Sequence, residues 1–168
     1  MILKFFNKNF YISFFIVALI YFLDRLSKIY VIQLDKNNFG SEIFNSSYLN
    51  IVLIWNKGIA FGLFSFNETH LYNILSLIIL IIVIIVIIMS LRTQGFKRYS
   101  LLMVVGGALG NLHDRIFFNA VPDFIDFHIG NFHWFIFNVS DIFITLGVIS
   151  MIVIELMEKD KYDNDKNI

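Results

Sequence analysis

Three aspartates sit at matching distances from the charges that mark helix ends. At 1.5 Å of helical rise per residue, Lys8 to Asp24 and Arg98 to Asp114 each cover about 24 Å, and Glu155 back to Asp141 covers about 21 Å. In a hydrocarbon core about 30 Å thick, that depth lies inside the outer leaflet, short of the interface. An ionisable side chain there costs about 2.5–3.5 kcal/mol even on a lenient insertion scale, so it normally faces protein and marks function. Two carboxylates held close in such a medium cannot both ionise; they share a proton and can act as base and acid on a water molecule. The same acids would also serve as relay groups in a proton-coupled transporter, although transport sites usually lie near the bilayer midplane and this layer is off-centre.

Other chemistries lose support. The chain has no cysteine, which removes thiolate metal sites, redox pairs and thiol nucleophiles. No G-x-S-x-G or H-E-x-x-H occurs. His70, His113, His128 and His133 show no metal-ligand spacing such as H-x-x-x-H and read as interfacial or hydrogen-bonded residues. The segment Val121 to His128 does hold a D-x-x-D-x-H run, Asp123, Asp126 and His128. Read as a strand, it points the two acids to opposite faces; only a helical turn with further ligands would make it a metal cluster. Asp24 and Lys28 are a favourable i,i+4 pair, whereas neighbours Asp114 and Arg115 do not face each other on a helix. Asn111 and Asn138 each lie three residues before an aspartate, Asp114 and Asp141, and are placed to hydrogen-bond it.

The elements that must hold these groups follow from composition. Of 168 residues 58% are hydrophobic and 15% charged, against about 45–50% and 25% for a soluble domain. So short a chain has too little interior to hide that apolar surface from water. The formal net charge is zero, so no basic field invites nucleic acid. Leu71 to Leu91 is uncharged and spans about 32 Å as a helix. Tyr99 to Leu112, Phe135 to Ile154, and Phe10 to Leu23 continued through Lys28 supply three more apolar stretches. The expected fold is a membrane all-α bundle of four transmembrane helices, one domain over residues 1–157. No small-x-small cleavage site follows the first apolar run, so it is expected to stay attached. Lys4, Lys8, Arg92, Lys97 and Arg98 put both termini in the cytoplasm by the positive-inside rule.

The outer loops then cover about residues 34–70 and 116–134. Tyr48 to Phe66 is aromatic and β-branched, with a turn signal at Asn56-Lys57-Gly58. It predicts two short strands, or a strand and a short helix, forming a small extracytoplasmic β-containing subdomain at the membrane surface. Gly106, Gly107 and Gly110 predict close helix packing. Residues 158–168 form a polar tail without apolar periodicity, expected to be disordered.

Four blocks carry a resemblance: Asp24-Arg25-Leu26-Ser27-Lys28; Trp55-Asn56-Lys57-Gly58-Ile59-Ala60-Phe61; Gly106 to Arg115, continuing to Asp123-Phe124-Ile125-Asp126-Phe127; and Phe137-Asn138-Val139-Ser140-Asp141. In this order on a four-helix chain, they resemble the lipoprotein signal peptidase (signal peptidase II) family over essentially the whole length. The resemblance implies a membrane aspartic endopeptidase that removes the signal peptide from diacylglyceryl-modified bacterial prolipoproteins, just before the lipidated cysteine. It also implies the bacterial cytoplasmic (inner) membrane and a site near its outer leaflet. Carried over by position, Asp123 and Asp141 are the expected catalytic dyad, and Asp24, Lys28, Asn56, Asn111, Asp114, Arg115 and Asn138 support it or bind substrate. Two of the three layered acids thus become supporting residues, and the second catalytic acid comes from the outer segment folding back. Trp55, Phe61 and Phe64 are candidates for a lipid-compatible clamp. The expected partners are prolipoprotein substrates and membrane lipids, with no nucleic acid, no metal, no organic cofactor and a monomeric enzyme. Departures from the family pattern are small. Asn119 stands where glycine is frequent and tolerates positive φ, Ser140 stands where alanine is common, and Pro122 biases Val121 toward extended backbone.

Overall fold

The computed structural model describes residues 8–38, 43–58 and 69–166. In chain order it holds α1 (Lys8–Asn37), β1 (Leu49–Asn56), α2 (Thr69–Arg92), α3 (Gly95–Phe118), β2 (Val121–Ile129), β3 (Phe132–Phe137) and α4 (Val139–Lys166). The spans Asn9–Asn37, Tyr72–Arg92 and Val139–Lys159, in α1, α2 and α4, are long and apolar enough to cross a membrane by length and composition. α3 is not one of these three; it carries Lys97, Arg98, Asp114 and Arg115.

α3 nevertheless organises the molecule, packing against α1, α2 and α4, while α1 also touches α4. Its glycines explain how the backbones come so close. A Cβ on Gly106 would meet Ile20 of α1 at 2.8 Å, one on Gly107 would strike the Ser140 carbonyl and Ile144 of α4, and one on Gly110 would strike the Ser140 hydroxyl and Asp24. From the other side, Gly147 of α4 lets the Ser100 carbonyl approach to 2.7 Å of where its Cβ would be. Gly107→Ala should therefore lower the melting midpoint in detergent by the equivalent of about 1–3 kcal/mol, because backbone is in the way. An unchanged midpoint would refute this reading of the α3–α4 contact.

The bundle encloses a polar cluster beside buried apolar residues such as Ile20, Val83 and Leu102, and its outside is apolar. Asp24, Asp114 and Asn138 have no exposed surface, whereas Phe14, Phe15, Phe22, Leu26, Ile85 and Ile152 point outward. A bilayer reverses the usual reason for burying side chains, since lipid rewards outward-facing apolar surface and leaves polar groups only each other.

The three strands form one antiparallel sheet in the order β1-β2-β3. β1 opposes β2 with Asn56 across from Val121, Ile54 from Asp123 and Asn50 from Asp126, with an irregularity between Ile51 and Ile54. β2 and β3 form a hairpin whose turn uses Gly130 at φ 58°, a conformation glycine adopts without steric cost. α3 ends at Asn119 in the left-handed region, φ 52° and ψ 24°, so asparagine does make the turn where glycine is frequent.

Several boundaries differ from expectation. The β content is not confined to the first outer loop: β1 lies in its middle, residues 39–42 and 59–68 of that loop lie outside the described residues, and β2 and the start of β3 lie in the second. Phe135 to Phe137, expected to open the last helix, belong to β3, because the chain stays extended until Asn138 caps α4. The polar tail, expected to lack structure, continues α4 to Lys166. A preceding helix supplies the nucleus, so each added residue gains a hydrogen bond without a new nucleation cost.

Candidate active site

Two acids and two cations alternate in the bundle interior. Lys28 Nζ lies 2.9 Å from Asp24 Oδ1 and 2.7 Å from Asp114 Oδ2. Arg25 closes the ring, with Nη2 2.9 Å from Asp24 Oδ2 and Nη1 2.6 Å from Asp114 Oδ1. Charge is balanced, which is the condition for burying ions in a low-dielectric interior. Asp24 Oδ1 also accepts the Ser140 backbone N–H at 3.0 Å, tying the ring to the first turn of α4.

From this ring a chain of amides leads to two further carboxyls. Lys28 Nζ donates to Asn111 Oδ1 at 2.9 Å, and Asn111 Nδ2 donates to Asp141 Oδ1 at 2.8 Å. Asn138 caps α4 reciprocally: its N–H donates to Asp141 Oδ2 at 3.1 Å, and the Asp141 N–H donates to Asn138 Oδ1 at 3.1 Å. This is a capping box, with an aspartate in place of the usual Glu or Gln. The Asn138 side chain then donates Nδ2 to Asp123 Oδ1 at 2.6 Å. The other Asp123 oxygen accepts Asn56 Nδ2 at 2.8 Å, while Asn56 Oδ1 accepts the Gly58 N–H at 2.8 Å.

Asn138 therefore joins Asp123 of the sheet to Asp141 of α4. Both carboxyls line a cavity of about 380 Å³ together with Asn56, Asn111, Arg115 and apolar residues of α2, α3 and α4. A neighbouring cavity of about 410 Å³ is walled by Phe127, Trp134, Phe135, Phe137, Ile142 and Leu146 and shares Asp141 with the first. Burial, reinforced by the Asp141 charge, pushes Asp123 up to about 6, against the opposing pull of the Asn56 and Asn138 hydrogen bonds and of Lys28.

The sequence expectations divide here. Asp24 and Lys28 do pair, but inside a four-member ring. Asn111 serves Asp141 instead of Asp114, because Asp114 turns toward α1. Arg115 does not pair with Asp114: its Nη2 donates to the Gly58 carbonyl at 3.0 Å, holding the end of β1 against α3. Asp123 and Asp126 engage different partners, so the D-x-x-D-x-H run forms no joint cluster. Trp55 is part-exposed and its ring lies 5.9 Å from that of Phe118; Phe61 and Phe64 lie outside the described residues. Arg25 is the residue that local spacing does not reveal: adjacent to Asp24 in the chain, it reaches both acids only because its side chain is long.

The fold and site define an α-helical membrane protein whose buried polar network delivers two carboxyls to one cavity. The model of the family described as "Signal peptidase (SPase) II" matches residues 16–157. A lipoprotein signal peptidase of Pelagibacter ubique (strain HTCC1062) is 46% identical over 160 residues, covering 95% of this chain and 96% of the relative. One of Anaplasma phagocytophilum (strain HZ) is 40% identical over 142 residues, covering 83% and 88%. A solved structure described as "Bacterial membrane enzyme structure by the in meso method at 2.3 A resolution" superposes with TM-score 0.70 at 27% identity, covering 89% of this chain and 90% of that one. This chain belongs to the signal peptidase II family, the lipoprotein signal peptidases.

Proposed function

We propose that this chain is an aspartic endopeptidase in which Asp123 and Asp141 are the catalytic pair. Its substrates are diacylglyceryl-modified prolipoproteins of the bacterial cytoplasmic membrane, cut immediately before the lipidated cysteine. The observation that carries the reading is the Asn138 bridge, which bonds to one oxygen of Asp123 while sharing a cap with Asp141. One carboxylate takes a proton from water as the water oxygen attacks the scissile carbonyl carbon. The other, protonated, donates to the carbonyl oxygen, and the tetrahedral intermediate collapses as a proton passes to the leaving amine. Asn56 and Asn138 hold Asp123, Asn111 holds Asp141, and the ring of Asp24, Arg25, Lys28 and Asp114 holds Asn111. Arg115 secures the β1 end of the cavity.

All four helices cross the bilayer in this reading, α3 by burying Asp114 and Arg115 in the bundle and keeping Lys97 and Arg98 at its cytoplasmic end, and both termini are cytoplasmic. The pair then lies toward the outer leaflet, where a diacylated substrate presents its cleavage site. The apolar cavity beside Asp141 offers room for apolar parts of that substrate, and the enzyme works as a monomer. The test is cleavage in detergent or vesicles by the purified chain. A diacylglyceryl-modified precursor should yield a product beginning with the modified cysteine by mass, and the unmodified precursor should remain intact. Equal cleavage of both, or of neither, would overturn the substrate assignment.

A further inference from the structure

A second polar cluster lies at the far end of β2, apart from the cavity described above. His128 and His133 face each other directly across the β2–β3 hairpin, next to a register irregularity after Asp126. Their rings stack at 4.9 Å between centroids and 18° between planes. His133 Nδ1 lies 2.9 Å from Asp126 Oδ2 and 3.1 Å from Oδ1. One ligand atom from each of Asp126, His128 and His133 falls within 4.8 Å of the others.

Two features separate this group from an ordinary surface ion pair. His128 is 9% exposed, and its Nδ1 has no hydrogen-bond partner, although a buried polar atom normally has one. His133, by contrast, is half exposed along its side chain, which leaves an approach from outside. Two imidazoles and a carboxylate suit zinc, nickel or copper, not the all-oxygen shells that magnesium and calcium prefer. Zinc bonds of about 2.0–2.2 Å in a tetrahedron separate ligand atoms by about 3.4 Å, so binding requires the two rings to turn out of their stack until both lone pairs face one ion.

We propose that Asp126, His128 and His133 bind a divalent transition-metal ion of the zinc type, with the fourth position open to water. Strand geometry accounts for this ligand set: the D-x-x-D-x-H run loses Asp123 to the other side of β2, and the hairpin supplies His133 in its place. The ion clips β2 to β3 near the turn and takes no part in peptide cleavage, for which the proposed pair is Asp123 near the opposite end of β2 and Asp141 on α4.

The test uses the full chain, free of any affinity tag, in detergent micelles. Its four histidines and lack of cysteine keep background binding low. Calorimetric titration with Zn²⁺ in a non-coordinating buffer should show one ion per chain. His128→Gln and His133→Gln should each weaken it by at least the about 10–100-fold seen when mere supporting partners of a metal site are lost. His128→Gln leaves the His133–Asp126 pair intact, so its metal-free melting midpoint should stay near wild type; this variant alone decides the matter if His133→Gln fails to fold. With Cu²⁺, electron paramagnetic resonance should show coupling to two imidazole nitrogens in the wild type and to one in His128→Gln. Absence of one-to-one uptake, or uptake unchanged in His128→Gln, would overturn the site.

Discussion

Asp123→Asn and Asp141→Asn are each expected to lower the rate of lipidated-precursor cleavage by about 10²–10⁴-fold, with folded, membrane-inserted protein recovered in normal amount. Asparagine keeps the shape of the side chain but can neither accept the water proton nor donate an acidic one. The stability outcome is less intuitive and makes the test sharper. Asp123 is held up to about 6 by burial and then by the Asp141 charge, so folding favours its protonated form. Its stabilising contribution is complete below the ordinary carboxylate range and disappears as pH rises through about 6, a difference on the order of 3 kcal/mol.

The wild-type melting midpoint should therefore fall between about pH 4 and 7, and the Asp123→Asn protein should show a flatter profile over that range and match or exceed it at pH 7. Cleavage by the wild type should follow a bell-shaped pH profile belonging to the pair as a whole, since two coupled acids must hold one proton between them. Full activity in either variant, with normal insertion, would sink the assignment of the pair.

The second large effect is on folding. Asp114→Ala should destabilise the protein by about 3–5 kcal/mol, because Arg25 and Lys28 would then share the single acid Asp24 in a buried place. Removing an acid and a base together is expected to cost less. Asp114→Leu combined with Lys28→Met leaves Arg25 paired with Asp24, and its melting midpoint in detergent should lie above that of Asp114→Ala alone. Cleavage should not recover in parallel. The double variant cuts the link from Lys28 through Asn111 to Asp141, so kcat should stay low in a folded protein. A double variant no more stable than Asp114→Ala would show that charge balance is not what the ring provides.

Some of this is legible in the amino-acid sequence. Hydropathy located all four helices but not all their ends: α1 runs on to Asn37 and α3 to Phe118, and α4 starts later than expected because an apolar run such as Phe135 to Phe137 reads alike as strand or helix. The i,i+4 spacing of Asp24 and Lys28 announced their pair, since a helix alone fixes that distance. Asn138 pairs with Asp141 at a spacing of three, again a local relation. Its second bond, to Asp123, was not visible, because fifteen residues of hairpin separate the two. Asn111 escapes its sequence expectation for the same reason: spacing offers Asp114 on its own helix, while packing against α4 brings Asp141.

Composition and helical rise thus determined by themselves that the chain is built for a membrane and that its aspartates on α1, α3 and α4 share a layer. Those are properties of single helices, counted along one axis. Which carboxyls meet was decided by the tertiary structure alone. The register of β1 on β2, the glycine-mediated approach of α3 to α4 and the turn at Gly130 together carry Asp123 to the α4 cap, over contacts between residues far apart in the chain. In a bundle that must satisfy its buried polar groups internally, those long-range contacts separate the ring that balances charge from the two acids that face the cavity.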